Sequence, residues 1–403
     1  MTSYRDTVRF SIAEHFGGVD HFYEKLAATC QCAGSLNIKV AAVGWDKLWN
    51  YLQEVAESDG QQDFSEVGTT WVGHFIDKYN LHRLTSSELD FLGGSRAFLR
   101  STLQSTSLIN DERMFAIPLL ADTRVVYYWR DALADAGVDE RDAFITPARM
   151  RNTLAALQDA GYPAWGAPTF QVNNTLHQIA SWIWSNGGDF LDETGKRCTL
   201  LDSPALVGIC RYYELYRYMP CNFESLDSVL DYFEDGRISS TITGPWYLMR
   251  LILGGATDEV LSNLGVALPP GPPFVGGSNL VIWDGVEDSR MDEVLSVIAH
   301  LTSPEIQQEI CKATGLLPVR QDVLEEAPYA TDPHYHVFAE ALRMGRSLPM
   351  ISFWGPLEEA LLKGFGQIWD EVKLCPNCDN VEDIVVSVLD PIVRRFDRLL
   401  RLV

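Results

Sequence analysis

The residues of this chain best suited to chemistry are ones that grip a ligand rather than break a bond. Thr241-Ile-Thr-Gly-Pro-Trp246 delivers an indole straight after a Gly-Pro turn that stops a strand, so Trp246 stacks either on a ligand or in the core. Val275-Gly-Gly-Ser-Asn279 enters a β-branched strand through two glycines. Gly277, Ser278 and Asn279 can therefore bring backbone close to a ligand or to neighbouring chain. Val67-Gly-Thr-Thr-Trp-Val-Gly-His74 sets Thr70 and Trp71 at a helix start. Asp122 and Arg124, two apart in a strand-like run, offer either an acceptor–donor pair for vicinal hydroxyls or a cross-strand salt bridge. Glu14 and His15 close the first strand. Trp182 and Trp184 precede a helix-ending Gly187-Gly188, with His177 five residues before Trp182 as a helix histidine or a contact, and Trp354 heads the C-terminal part.

Bond-making chemistry has no comparable motif. No Gly-x-Ser-x-Gly, His-Glu-x-x-His, Walker loop or Gly-x-Gly-x-x-Gly after a strand is present, and no cofactor or metal set is predicted. Glu14 and Asp122 could at most form a glycosidase pair. The eight cysteines are irregularly spaced, and only Cys375-Pro-Asn-Cys378 has motif spacing. That lone CxxC reads as a structural or incidental pair, a local disulfide included, or as half a zinc or redox site.

These residues need a scaffold, and the pattern around them alternates strand with helix. Strands are predicted over residues 7–13, 36–43, 64–67, 115–118, 123–129, 263–267 and 275–283, with a short one in 161–168. Helices are predicted over 18–30, 45–58, 130–136, 146–159, 173–185, 203–217, 226–234, 247–253, 287–303, 304–313 and 381–401. Alternation of this kind predicts an α/β fold on mainly parallel sheets, whose ligands gather at the carboxyl ends of the strands. A chain of 403 residues exceeds one core, so two lobes are expected. With 32 basic and 55 acidic residues the net charge is −23, which argues against nucleic acid or an anionic membrane as partner. Eleven tryptophans suit stacking on sugar rings, with about half expected in the core.

Over roughly residues 7–375 these segments, in this order, resemble the sugar-binding type of the extracellular solute-binding protein family, the ABC-importer receptors similar to maltose-binding proteins. The run Phe233–Trp246 matches an F-x-x-G-[KR]-x-A-M-x-x-x-G-[PS]-W pattern, with Ser239-Ser240 where Ala-Met is usual. The resemblance implies a periplasmic-binding-protein-like two-lobed fold, several hinge crossovers and a helical C-terminus. It places 1–123 plus 281–320 in one lobe and 124–280 plus 321–403 in the other, with a cleft between them. It implies a monomer that closes on a neutral mono- to oligosaccharide without catalysis and hands it to ABC permease subunits. Glu14, Thr70, Trp71, Asp122, Arg124, Trp182, Trp246, Gly277, Ser278, Asn279 and Trp354 are the contacts it implies, and Val275–Asn279 and Thr314–Arg320 the hinge. The family norm is periplasmic or membrane-anchored. The N-terminus, though, shows no signal peptide or lipobox, and eight cysteines tilt toward a reducing compartment, so a cytosolic sugar-sensor domain is the alternative reading.

Overall fold

Strand-forming runs and amphipathic helices assemble into two units in the computed structural model, which describes residues 7–30, 36–58, 61–79, 81–171, 173–375 and 380–401. The first unit comprises Met1–Asp122, Gly276–Thr331 and Met350–Trp354; the second comprises Thr123–Val275, Asp332–Pro349 and Gly355–Val403. The chain thus passes from one unit to the other after residues 122, 275, 331, 349 and 354.

The first unit is built on a five-stranded sheet. Its strands are β1 (Thr7–Ala13), β2 (Asn37–Val43), β3 (Phe64–Gly68), β4 (Ile117–Thr123) and β8 (Val275–Ile282), in the order β2-β1-β3-β8-β4. β1 runs parallel to both β2 and β3, while β8 pairs antiparallel with β3, Ser278 lying opposite Gly68. The strand carrying the glycine pair thus belongs to this sheet. Phe10 and Phe64 stack across β1 and β3 at 4.6 Å in a fully buried core. Beneath them Arg290, on the helix Asp288–Leu301, makes two hydrogen bonds of 2.7 and 2.9 Å to Asp63 and donates to the Thr7 carbonyl at 2.6 Å. Asp63 also accepts from the Arg9 amide at 2.7 Å, so a buried ion pair ties β1 and β3 to one helix.

The second unit holds a three-stranded sheet, β6 (Ser240–Thr243), β5 (Val125–Trp129) and β7 (Leu264–Ala267), with β5 in the middle and antiparallel to both neighbours. The expected mainly parallel sheet is corrected here. β6 and β7, joined through the helices Trp246–Leu253 and Asp258–Asn263, point the same way as the alternation predicts. β5 is inserted between them in the opposite direction. The expected strand in 161–168 is reduced to a single bridge between Gly166 and Thr241, because Pro163 and Pro168 cannot donate to a ladder. The helix Asn173–Ser185 packs on this sheet, with Gln178 donating to the Ile242 carbonyl; Ser203–Tyr213 packs on that helix, and its Tyr213 hydroxyl donates to the Phe365 carbonyl of Trp354–Val372. A Cβ at Gly208 would lie 2.4 Å from the Trp182 carbonyl, so glycine is what lets the first two helices cross closely. The C-terminal part is helical as expected, ending in Val381–Leu400.

Candidate functional site

Because β1, β2 and β3 are parallel, their carboxyl ends share one edge of the first unit, and the residues that follow each strand gather there. After β1 come Glu14 and His15; the Glu14 amide donates to the Val43 carbonyl at 2.9 Å, and its side chain is exposed. After β2 comes Gly44-Trp45, whose indole is 41% exposed, the most exposed aromatic side chain at this edge. After β3 a short 3-10 turn carries Thr69, Thr70 and Trp71, the last two half-buried.

The indoles of Trp45 and Trp71 meet at 5.9 Å with planes 65° apart, and Trp49 meets Trp71 at 5.3 Å. A Cβ at Gly68 would stand 3.3 Å from the Trp71 ring and 3.7 Å from that of Trp45, so glycine leaves the room both rings use. Trp49 and Trp71 rest on a core of Leu48, Val67, Phe75 and Trp283, which fixes their rotamers before any ligand arrives.

Under this aromatic wall sits Glu66, fully buried on β3. Its carboxylate accepts from the Ala13 amide at 2.8 Å and from His15 Nε2 at 3.0 Å. Burial alone would push its pKa up, but the His15 charge and hydrogen bond, with help from Ser278 and the Ala13 amide, hold it below the usual glutamate range. For His15, burial pulls down; the Glu66 charge and hydrogen bond, aided by the Asp122 charge, win and raise it. Asp122, half-buried at the end of β4, is therefore near this same cluster.

In the second unit Thr243 pairs with Val125, so the end of β6 and the start of β5 share an edge. Trp246 stands there, half-buried, as the first residue of its helix, after Gly244, whose carbonyl accepts from the Tyr127 hydroxyl at 3.0 Å. Arg124 is on that edge too, though it does not share a strand with Asp122. β4 ends at Thr123 and β5 begins at Val125, so the two residues flank a break rather than alternate along one strand. Arg124 is buried and donates to the Thr123 carbonyl at 2.7 Å and to His177 Nδ1 at 3.1 Å, with its guanidinium 5.8 Å over the Phe274 ring. His177 stacks on Phe274 at 4.1 Å. Burial, then the Arg124 charge, keeps it neutral, so it is a satisfied core histidine.

Other expected contacts are placed elsewhere by packing. Trp182 is fully buried, edge-on to Tyr212 at 5.2 Å, and Trp184 donates to Asp189 at 3.0 Å under the Arg346 guanidinium. Trp354 is 1% exposed, at the start of its helix. Gly277, at φ +116, is demanded by its strand neighbour: a Cβ would fall 2.1 Å from the Leu120 carbonyl. Asn279 is buried and donates to Ser105, and Ser278 is buried beside Glu66. Leu317, in the expected hinge segment, pairs with Ala121, while Arg320 forms a local pair with Asp322 at 2.7 Å.

Cys30 is disulfide-bonded and Cys375 is free; Cys378 lies outside the described residues. Among the described residues no group of three or more His, Cys, Asp or Glu side chains could hold a metal, and no helix is long and apolar enough to cross a membrane. Sequence reasoning missed Trp45, Gly68 and Glu66. The signal for Trp45 was present, since Gly44-Trp45 directly follows a β-branched strand.

A family model for bacterial extracellular solute-binding proteins matches residues 25–337. The chain belongs to that family. Among relatives of this solute-binding protein is the diacetylchitobiose binding protein DasA of Streptomyces coelicolor. It is 21% identical over 356 residues, which span 84% of this chain and 79% of the relative. The maltotriose-binding protein of Pyrococcus abyssi is 22% identical over 300 residues, 70% of this chain and 60% of that one. Among solved structures, the sugar-binding protein MalE of Xanthomonas citri superposes with a TM-score of 0.83 at 20% identity, covering 98% of this chain and 99% of that one. The fold is therefore the α/β fold of the periplasmic binding proteins.

Proposed function

We propose that this chain is the carbohydrate-binding component of an ABC importer, a non-catalytic monomer that holds a neutral mono- to oligosaccharide and passes it to permease subunits. The observation that carries the reading is the exposed face of Trp45 beside Trp71 at the carboxyl ends of three parallel strands, with Glu14, Thr70 and Asp122 around it. An indole face suits the C–H face of a pyranose, and flanking hydroxyl and carboxylate groups suit its hydroxyls. Trp246, half-buried on the strand-end edge of the second unit, supplies a further stacking face of the same chemistry. The names of the relatives, which bind diacetylchitobiose and maltotriose, support the same ligand class.

A thermal-shift screen against maltose, maltotriose, diacetylchitobiose and a set of monosaccharides tests this. At a hundredfold excess over Kd a ligand adds about 2.7 kcal/mol of stability, an upward shift of a few degrees. An absence of any shift across the panel, with amino acids and peptides shifting it instead, would sink the carbohydrate reading.

A further inference from the structure

The aromatic wall rests on an ion pair that a stacking site does not need. Glu66 is a fully buried carboxylate, and burying one costs several kcal/mol unless it is paired. It accepts from the Ala13 amide and from His15 Nε2, which together join the ends of β1 and β3. The His15 side chain is 7% exposed, and its ring meets Trp45 edge-on at 5.7 Å. Among the described residues no hydrogen-bond partner takes its other nitrogen, Nδ1. A ring held by one nitrogen, nine-tenths buried and touching the exposed indole, thus has one polar atom left for a ligand.

We propose that Glu66 is a positioning residue, which through the imidazole of His15 fixes one hydrogen-bond group for a ligand oxygen beside Trp45. The proposal rests on the carbohydrate reading of this edge. The groups facing His15 are Glu66 on β3, Asp122 at the end of β4, and Glu14 next to it in sequence. The Glu14 and Asp46 carboxylates lie beside Gly44, and the Tyr23 hydroxyl of the helix Val19–Ala28 feels Glu66 and Cys311 from below. The near anions Glu66 and Asp122 favour imidazolium, against burial, which opposes it. As imidazolium His15 donates from both nitrogens, Nε2 to Glu66 and Nδ1 to the ligand. When it loses a proton, Nε2–H stays on Glu66 and Nδ1 becomes an acceptor. A charge-assisted donor is then replaced by a neutral acceptor, so the sugar is held less tightly at high pH.

The test pairs a ligand-free measurement with a ligand-bound one. NMR titration of the histidine rings follows His15 in wild type, Glu66→Gln and Glu66→Asp, while tryptophan fluorescence follows maltotriose and diacetylchitobiose binding from about pH 5 to pH 9, the range around an ordinary imidazole. The expected result is a His15 midpoint above the ordinary value, lowered in Glu66→Gln and restored in Glu66→Asp. Affinity should weaken about fivefold as pH rises through that midpoint, and should be flat with pH in His15→Gln. Circular dichroism melts of each variant separate a lost fold from a lost contact, and the wild-type pH profile needs no variant. Sugar binding that ignores pH while His15 titrates would overturn the proposal and leave the carbohydrate reading standing. Binding of neither sugar, nor of any in the screen, would overturn both.

Discussion

Trp45 and Trp182 show how one residue type serves two ends. Trp45 is 41% exposed and Trp182 is fully buried, so their truncations should separate stability from binding. Trp182→Ala is expected to cost about 3–5 kcal/mol in urea unfolding, because it leaves a cavity against Tyr212. Trp45→Ala should cost less than about 1 kcal/mol of stability while weakening sugar affinity roughly tenfold. Equal effects of Trp45→Ala and Trp182→Ala on both measurements would remove Trp45 from the site. The His15–Glu66 pair gives a pH prediction at the same scale. His15 is raised above 6.5, so its contribution is full below that value and fades as pH climbs through the folded midpoint. Glu66 is lowered below 4.5, so its contribution is present above that value and is lost as pH falls through its folded midpoint. The stability gap between wild type and His15→Gln should therefore peak in mildly acidic solution and shrink toward both extremes. A gap that grows steadily with pH would contradict the pairing.

The elements that hold the first unit's site depend on two contacts that no local pattern announces. Arg290 reaches Asp63 and the Thr7 carbonyl from a helix more than two hundred residues away in sequence. Removing one partner of such a buried pair strands the other, so Arg290→Ala should lose about 3–5 kcal/mol. Arg290→Lys should recover only part, since one ammonium nitrogen cannot reproduce the planar fork whose two nitrogens serve both Asp63 oxygens and the Thr7 carbonyl. Gly277→Ala should also destabilise strongly, as both its φ of +116 and the Leu120 carbonyl at 2.1 Å exclude a Cβ. A melt unchanged by Gly277→Ala would mean that β8 tolerates a shift away from β4. Most elements were legible in the sequence: Thr7–Ala13, Asn173–Ser185 and Leu226–Glu234 stand where periodicity and capping predict. The strand in 123–129 was legible only in part, because a break at Arg124 changes which sheet the chain feeds. Alternation of β-branched residues continues across the break, and nothing in it marks the change of sheet.

For the molecule as a whole, the charge of −23 and the proposed neutral ligand lead to a simple expectation. Ligand affinity should change less than twofold between about 0.05 and 0.5 M salt, since screening acts on charge pairs and not on ring stacking. A steep loss with salt would point to a charged ligand. Incubation with maltotriose should return maltotriose alone by mass spectrometry; shorter sugars would make the chain a glycosidase instead.

Residue types and spacing were enough to determine the α/β class, two units, the likeness to solute-binding proteins, and Thr70, Trp71 and Trp246 at strand ends. Those follow from local rules: strand and helix periods, and turns that deliver a side chain where a strand stops. Tertiary structure alone decided which tryptophans face outward, that Arg124 and His177 pack on Phe274, and that Gly277 serves its sheet neighbour. It also decided that a buried Glu66 stands behind the wall. Burial and ion pairing are set by residues distant in sequence, and their energies depend on the water those partners exclude, which no window along the chain records.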